Sequence, residues 1–137
     1  MTNTQTDIET LERAESVLAT LYTSTPLLRG SVVASLDGRA LASDLEVEGI
    51  NSIAAVIASS FALGGRLSAV LGSEIVDETI VKCEGGYFAL YAAGPNAILG
   101  VMTMPETNLG LLNLQARVAC NALQPLVGPL LADRNDN

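Results

Sequence analysis

Residues 50–71 read Ile50-Asn-Ser-Ile-Ala-Ala-Val-Ile-Ala-Ser-Ser-Phe-Ala-Leu-Gly-Gly-Arg-Leu-Ser-Ala-Val-Leu71, and Gly72 follows. At about 100° per residue along a helix, Ile50, Ile53, Ile57, Phe61 and Leu71 gather on one side. A second apolar stripe, Val56, Leu63, Leu67 and Val70, lies about 90–120° away. The remaining face carries Ser52, Ala55, Ser59, Ala62 and Arg66, mostly small groups. A helix on the surface of a small domain needs one apolar stripe to hold it to a core. Two stripes predict that one packs on a sheet and the other meets a partner. Burying four large aliphatic side chains yields at most ~6–12 kcal/mol, at roughly 1.5–3 kcal/mol each. That is comparable with the stability of a whole domain, about 5–15 kcal/mol. The competing reading is that loops or the first helix of the same chain cover the second stripe. Gly64-Gly65 in mid-helix costs up to about 1 kcal/mol per glycine relative to alanine. Close approach of another backbone accounts for the pair, and so does a kink.

Upstream of this helix, Leu27 to Leu36 alternates as a strand, with Val32, Ala34 and Leu36 on one side and Ser31, Val33 and Ser35 on the other. Asp37-Gly38 is a two-residue hairpin signal in which both central positions want positive φ, and the return strand is Arg39 to Ser43. Earlier still, Thr6-Asp-Ile-Glu9 reads as a capping box opening a helix with Ile8, Leu11, Leu18 and Leu21 on its apolar stripe. Downstream, Gly72 is placed as the C′ residue. Three strands follow, about Glu78 to Cys83, Tyr87 to Ala93 and Ala97 to Met104, separated by Glu84-Gly85-Gly86 and Gly94-Pro95-Asn96. Asn108 caps a last helix with Leu109, Leu112, Ala116, Ala119, Cys120 and Leu123 on one face; Pro125 and Pro129 are read as ending it. The order α-β-β-α-β-β-β-α predicts an α+β fold, one five-stranded antiparallel sheet sandwiched by helices. Residues 1–137 make a single domain with an ordered core of about 7–126 and frayed tails.

Composition narrows the function. The chain has 7 basic and 15 acidic residues, a net charge of -8 and no histidine. A duplex-binding footprint is missing, as is a polybasic membrane anchor. Imidazole-based triads and metal sites are excluded. Gly49 to Gly65, a charge-free run, falls short of the ~20 residues of a membrane span. Neither a secretory leader nor short cysteine spacing is visible, so Cys83 and Cys120 are read as two buried thiols of a cytoplasmic protein. Asp44, Glu46 and Glu48 alternate on a connector that lacks the glycine and ligand number of a calcium loop. No phosphate-loop or nucleophile-elbow motif is present. Neither catalytic residues nor a metal or cofactor are expected. Arg66 reads as a solvated arginine at a helix edge, the alternative being a finger supplied in trans to a nucleotide.

Gly30-Ser-Val-Val-Ala-Ser-Leu-Asp-Gly-Arg-Ala-Leu-Ala-Ser43, the small-residue helix after it, and Thr107-Asn-Leu-Gly-Leu-Leu-Asn-Leu-Gln-Ala-Arg117 carry a resemblance to the roadblock (dynein light-chain roadblock) family. The match extends over nearly the whole chain, Ile8 to Leu126. The resemblance implies a homodimer whose sheets join through the strand containing Thr79, Ile80, Val81 and Lys82, with the central helices side by side through Val56, Leu63, Leu67 and Val70. It also implies a regulatory, non-enzymatic role in binding a small Ras-like GTPase, as in the bacterial branch that resembles the GTPase-activating partner of a gliding-motility switch. The platform for that partner would include Ser52, Ala55, Ser59, Ala62 and Arg66. A structural scaffold dimer with no nucleotide-dependent partner is the alternative, and a small-molecule sensor a third.

Overall fold

Strand β1 (Leu28–Ser35) has only Arg29 exposed, so both of its faces need covering. Val32 and Ala34 enter one apolar cluster, and Leu28 and Val33 enter another on the opposite face. The computed structural model describes residues 4–45 and 47–135, with side chains for 7–45 and 47–132. It supplies the two covers. Helices α1 (Thr4–Ser24) and α3 (Leu109–Asn135) lie on one face, and α2 (Ile50–Val70) lies on the other. Between them β1, β2 (Ala40–Ser43), β3 (Glu78–Cys83), β4 (Gly86–Ala92) and β5 (Ala97–Thr103) form one sheet in the order β2-β1-β5-β4-β3. Every neighbouring pair is antiparallel. The predicted α+β sandwich is therefore the observed architecture, with β2 and β3 at the edges.

Several local expectations are corrected. The β1–β2 hairpin has positive φ at Gly38 alone, not at Asp37. The Ser35 hydroxyl donates to the Asp37 carboxylate and accepts the Arg39 N–H at 3.0 Å. The Ser35 N–H also bonds the Arg39 carbonyl at 2.8 Å. These bonds close a three-residue loop in which only its last residue must be left-handed. Helix α1 starts at Thr4, so Thr6 sits inside the first turn and not at a cap; its side chain lies outside the described residues. Ile8 and Leu11 are exposed, and the buried stripe is Thr10, Ala14, Leu18 and Leu21. Small Ala14 permits close packing on α3, which polar flanks in the sequence concealed.

Helix α3 does not stop at Pro125 or Pro129 but runs to Asn135. Both prolines are exposed and four residues apart, so they share one face. The carbonyls they deprive of an amide, at Asn121 and Pro125, lie on that solvent side, where water serves them. Leu123, Val127 and Leu130 stay buried on the inner side and hold the helix together. The N-terminus of α3 is as read: the Leu111 N–H donates to Asn108 Oδ1 at 3.0 Å.

Only Cys120 is buried; Cys83, last residue of an edge strand, is exposed. Burial pushes the Cys120 thiol up to about 11. A thiol reagent at pH 8 is expected to label Cys83 rapidly in the folded protein, and to reach Cys120 only in denaturant; mass spectrometry of the adducts reads this directly. The Asp37 carboxyl is lowered from 3.8, chiefly by the Ser35 hydroxyl, with Arg39 adding to the effect. A lowered folded-state value means the Asp37 contribution is present at neutral pH and lost as pH falls below 3.8. D37N is therefore expected to be less stable than the wild type in urea at pH 7, with the gap closing in strong acid.

Candidate interaction face on α2 and β3

Helix α2 is set across the sheet by three close approaches. Near its start, Ala55 lies against the hairpin at Gly38, where an added Cβ would stand 3.0 Å from the Ala55 Cα. The Ala40 N–H donates to Asn51 Oδ1 at 2.9 Å, tying the first turn to β2. Two residues further, Ile57 fills the space above Gly100 of β5; a Cβ there would come within 2.7 Å of Ile57 Cδ1. Beyond that, Gly64 passes over β3, and a Cβ at Gly64 would lie 2.5 Å from Thr79 Oγ1. The helix thus travels from the β1–β2 hairpin, over β5, to the β3 edge. Its last six residues, about 9 Å at 1.5 Å per residue, carry on past the contact with β3.

The end of α2 is closed locally. The N–H groups of Leu71 and Gly72 return to Ser68 and Ala69, and Gly72 takes φ 79°, as its C′ placement requires. The Ser68 hydroxyl reaches the Ile75 carbonyl at 3.2 Å, folding the next segment back toward β3.

What faces outward is apolar. Val56, Leu63, Leu67 and Val70 are 62%, 57%, 63% and 82% exposed, so the described residues do not cover the second stripe. Ser52, Ala55, Ser59, Ala62 and Arg66 are exposed beside them. The sheet-facing side is carried by Ile50, Ile53, Ala54, Ile57, Ala58 and Phe61. The helical wheel puts Leu71 there too, yet it is 87% exposed, because it caps the helix past the end of the sheet. At 21 residues with mean hydropathy 1.6, α2 is long and apolar enough to cross a membrane, longer than the charge-free run suggests. Ala54 and Ile57, however, are committed to the sheet.

Strand β3 pairs with β4 on one side only. Alternate residues therefore leave N–H and C=O groups unpaired toward the edge. Thr79 points to α2 and sits half-buried under Gly64. Ile80 is also half-buried and packs on the α1/α3 core, so it offers the edge only its backbone. Val81 and Lys82 are exposed. Glu78 is held from below by Arg117 of α3, with Nη2 2.7 Å from Oε2. Of the eight residues read as an interface, Val56, Leu63, Leu67, Val70, Val81 and Lys82 are exposed, whereas Thr79 and Ile80 are half-buried, with Ile80 packed on the α1/α3 face. Leu71, Ile75 and the pairing of Gly64 with Thr79 escape the sequence reading. Ile75 is exposed in the linker, and no periodic pattern marks an apolar residue there. Glu46 of the acidic connector lies outside the described residues. Burial raises the Asp44 carboxyl above its ordinary value.

The family model for the Roadblock/LC7 domain matches residues 16–103, from mid-α1 to the end of β5. The chain belongs to the Roadblock/LC7 family. "Uncharacterized protein MJ0310" of Methanocaldococcus jannaschii is 27% identical over 100 residues, spanning 72% of this chain and 87% of that protein. The Roadblock/LC7 domain from Streptomyces avermitilis superposes with a TM-score of 0.78 at 18% identity, over 82% of this chain and 96% of that one. The gliding protein MglB from Thermus thermophilus gives 0.77 at 23% identity, over 85% and 90%. These structures share the roadblock fold with this chain.

The two mid-helix glycines of this roadblock domain differ in surroundings. Gly64 faces Thr79, whereas Gly65 has no heavy atom within 4 Å of an added Cβ. G65A is therefore expected to stabilise the subunit by up to about 1 kcal/mol through helix propensity. G64A is expected to gain less or to lose stability, because Thr79 must move. Urea denaturation of the two variants makes the comparison.

Proposed function

We propose that this roadblock domain is a homodimeric regulatory module, without catalysis of its own, that binds a small Ras-like GTPase. One observation carries the dimer. The C-terminal part of α2 exposes Leu63, Leu67 and Val70 near the unpaired edge of β3. A second copy supplies both missing complements at once, a strand for the edge and an apolar stripe for the helix. Its symmetry is closed and isologous, so it consumes the β3 edges of both copies and does not propagate. The GTPase rests on the family and on the likeness to a gliding protein, together with the chemistry of the remaining α2 face. Ser52, Ala55, Ser59 and Ala62 are short enough for a flat partner to approach the helix backbone, and Arg66 offers a cation in an otherwise acidic molecule. The module acts in the cytoplasm, where such GTPases work.

Sedimentation at micromolar concentration is expected to give about twice 14.2 kDa for the wild type. L63D/L67D is expected to give the single-chain mass with unchanged circular dichroism, since neither side chain supports its own subunit and surface changes cost little. For the GTPase, the protein is mixed with candidate Ras-like GTPases loaded with a GTP analogue or GDP. Complex formation that depends on the nucleotide and weakens several-fold in R66A supports the reading. Equal binding of both forms turns it to a scaffold dimer, and no complex with any candidate removes the GTPase.

A further inference from the structure

If the β3 edge pairs with a second copy of itself, the reading proposed above, the sequence and geometry of that edge specify how. In an antiparallel pair, residues directly opposite point to the same face of the sheet. Glu78, Ile80 and Lys82 point to the α1/α3 face, as the Arg117–Glu78 ion pair and the packing of Ile80 show. Thr79 points to α2, and Val81 and Cys83 share its face by alternation. Two copies in one continuous sheet, with α2 helices on the same side, must therefore match even positions with even and odd with odd. The two-fold axis then passes through a residue of β3, not between two residues.

Only axes through the interior residues 79–82 pair three or more residues of β3 with β3, and charge separates those four. An axis at Thr79 sets Glu78 opposite Ile80 of the other copy, and Lys82 opposite Val76. An axis at Val81 sets Glu78 opposite Glu84, twice over. An axis at Lys82 sets the chain's single lysine against itself. An axis at Ile80 sets Glu78 opposite Lys82 and Lys82 opposite Glu78, Thr79 opposite Val81, and Ile80 opposite Ile80. It alone among the four gives cross-strand pairs of opposite charge, the arrangement that stabilises antiparallel ladders. It also aligns five of the six residues of β3, Glu78 to Lys82. We infer that the dimer forms in the register centred on Ile80, and that two Glu78–Lys82 pairs specify it. Each Glu78 is then bracketed by Arg117 of its own chain and Lys82 of the second copy. Lys82 is exposed and makes no ion pair within its own chain among the described residues, so it is free for this role.

The native Cys83 reports the register. With the axis at Ile80, Cys83 faces position 77 of the other copy. Opposite Cα atoms in such a ladder stand about 4.5–5.5 Å apart, inside the ~4.4–6.8 Å range of a disulfide. Position 79 is then two residues off, roughly 7 Å further along the strand. Mild oxidation with diamide is expected to convert D77C to covalent dimers on non-reducing gels, and to leave T79C and wild type uncoupled. Cross-linking of T79C without D77C, or of neither in a protein that sediments as a dimer, overturns the register and leaves the dimer standing. A wild type that sediments as a single chain overturns the dimer itself. K82E, which sets a second carboxylate against Glu78, is expected to weaken dimerisation about tenfold. Its salt dependence inverts: added salt loosens the wild-type dimer and tightens the K82E dimer, because screening removes attraction in one and repulsion in the other. An unchanged dissociation constant and salt slope in K82E counts against the charge pairs.

Discussion

The seating of Ile57 over Gly100 is the contact on which the arrangement of α2 depends. A side chain at position 100 would lift the helix from β5, and the approaches at Gly38 and Gly64 could not then be made together. Because α2 is held by its Ile53–Ala54–Ile57–Phe61 side, the rest of its circumference is free. The direction of travel, from the β1–β2 hairpin to the β3 edge, places the free apolar stripe where the sheet ends. Core contact and exposed apolar stripe are thus two sides of one helix, fixed by the same three close approaches.

The opposite face of the sheet works differently. There α1 and α3 pack on each other as well as on the strands, and their buried stripes run through small residues, Ala14, Ala116 and Ala119. This layer holds the larger of the two clusters of buried apolar residues. It reaches the edge strand through Ile80 and through the Arg117–Glu78 pair, an exposed ion pair of modest energy. Its value is positional: it holds the carboxylate of Glu78 at the boundary where the sheet stops.

Much of this is legible from residue order alone. The double stripe on residues 50–70 announces both a sheet contact and an outward apolar face, because aliphatic residues at helical spacing on two sides of one helix require two separate surfaces to meet them. Hairpin turns between β3, β4 and β5 are marked by glycine, and Asn108 marks a helix start. The failures have physical causes. Proline at positions 125 and 129 reads as a stop, yet packing on the far side of the helix outweighs the lost amides when both rings face water. Leu71 fits the wheel of α2 but lies where the helix has already turned into its cap. Ile8 and Leu11 look like core but lie off the stripe through Thr10 and Ala14 that α1 turns inward. The two glycines, 64 and 65, are indistinguishable in the sequence, and only the passage over Thr79 tells them apart.

The seat of α2 also has a consequence for synthesis. Gly100 leaves the ribosome 43 residues after Ile57, roughly 2–10 s later at ~5–20 residues per second. Strand β1 meets β5 only at that same late moment. Until then, a segment with the hydropathy of a membrane span has only the β1–β2 hairpin to lie on. The nascent chain carries it partly uncovered for seconds, a window in which chaperones or a neighbouring nascent copy have first access to its apolar surface.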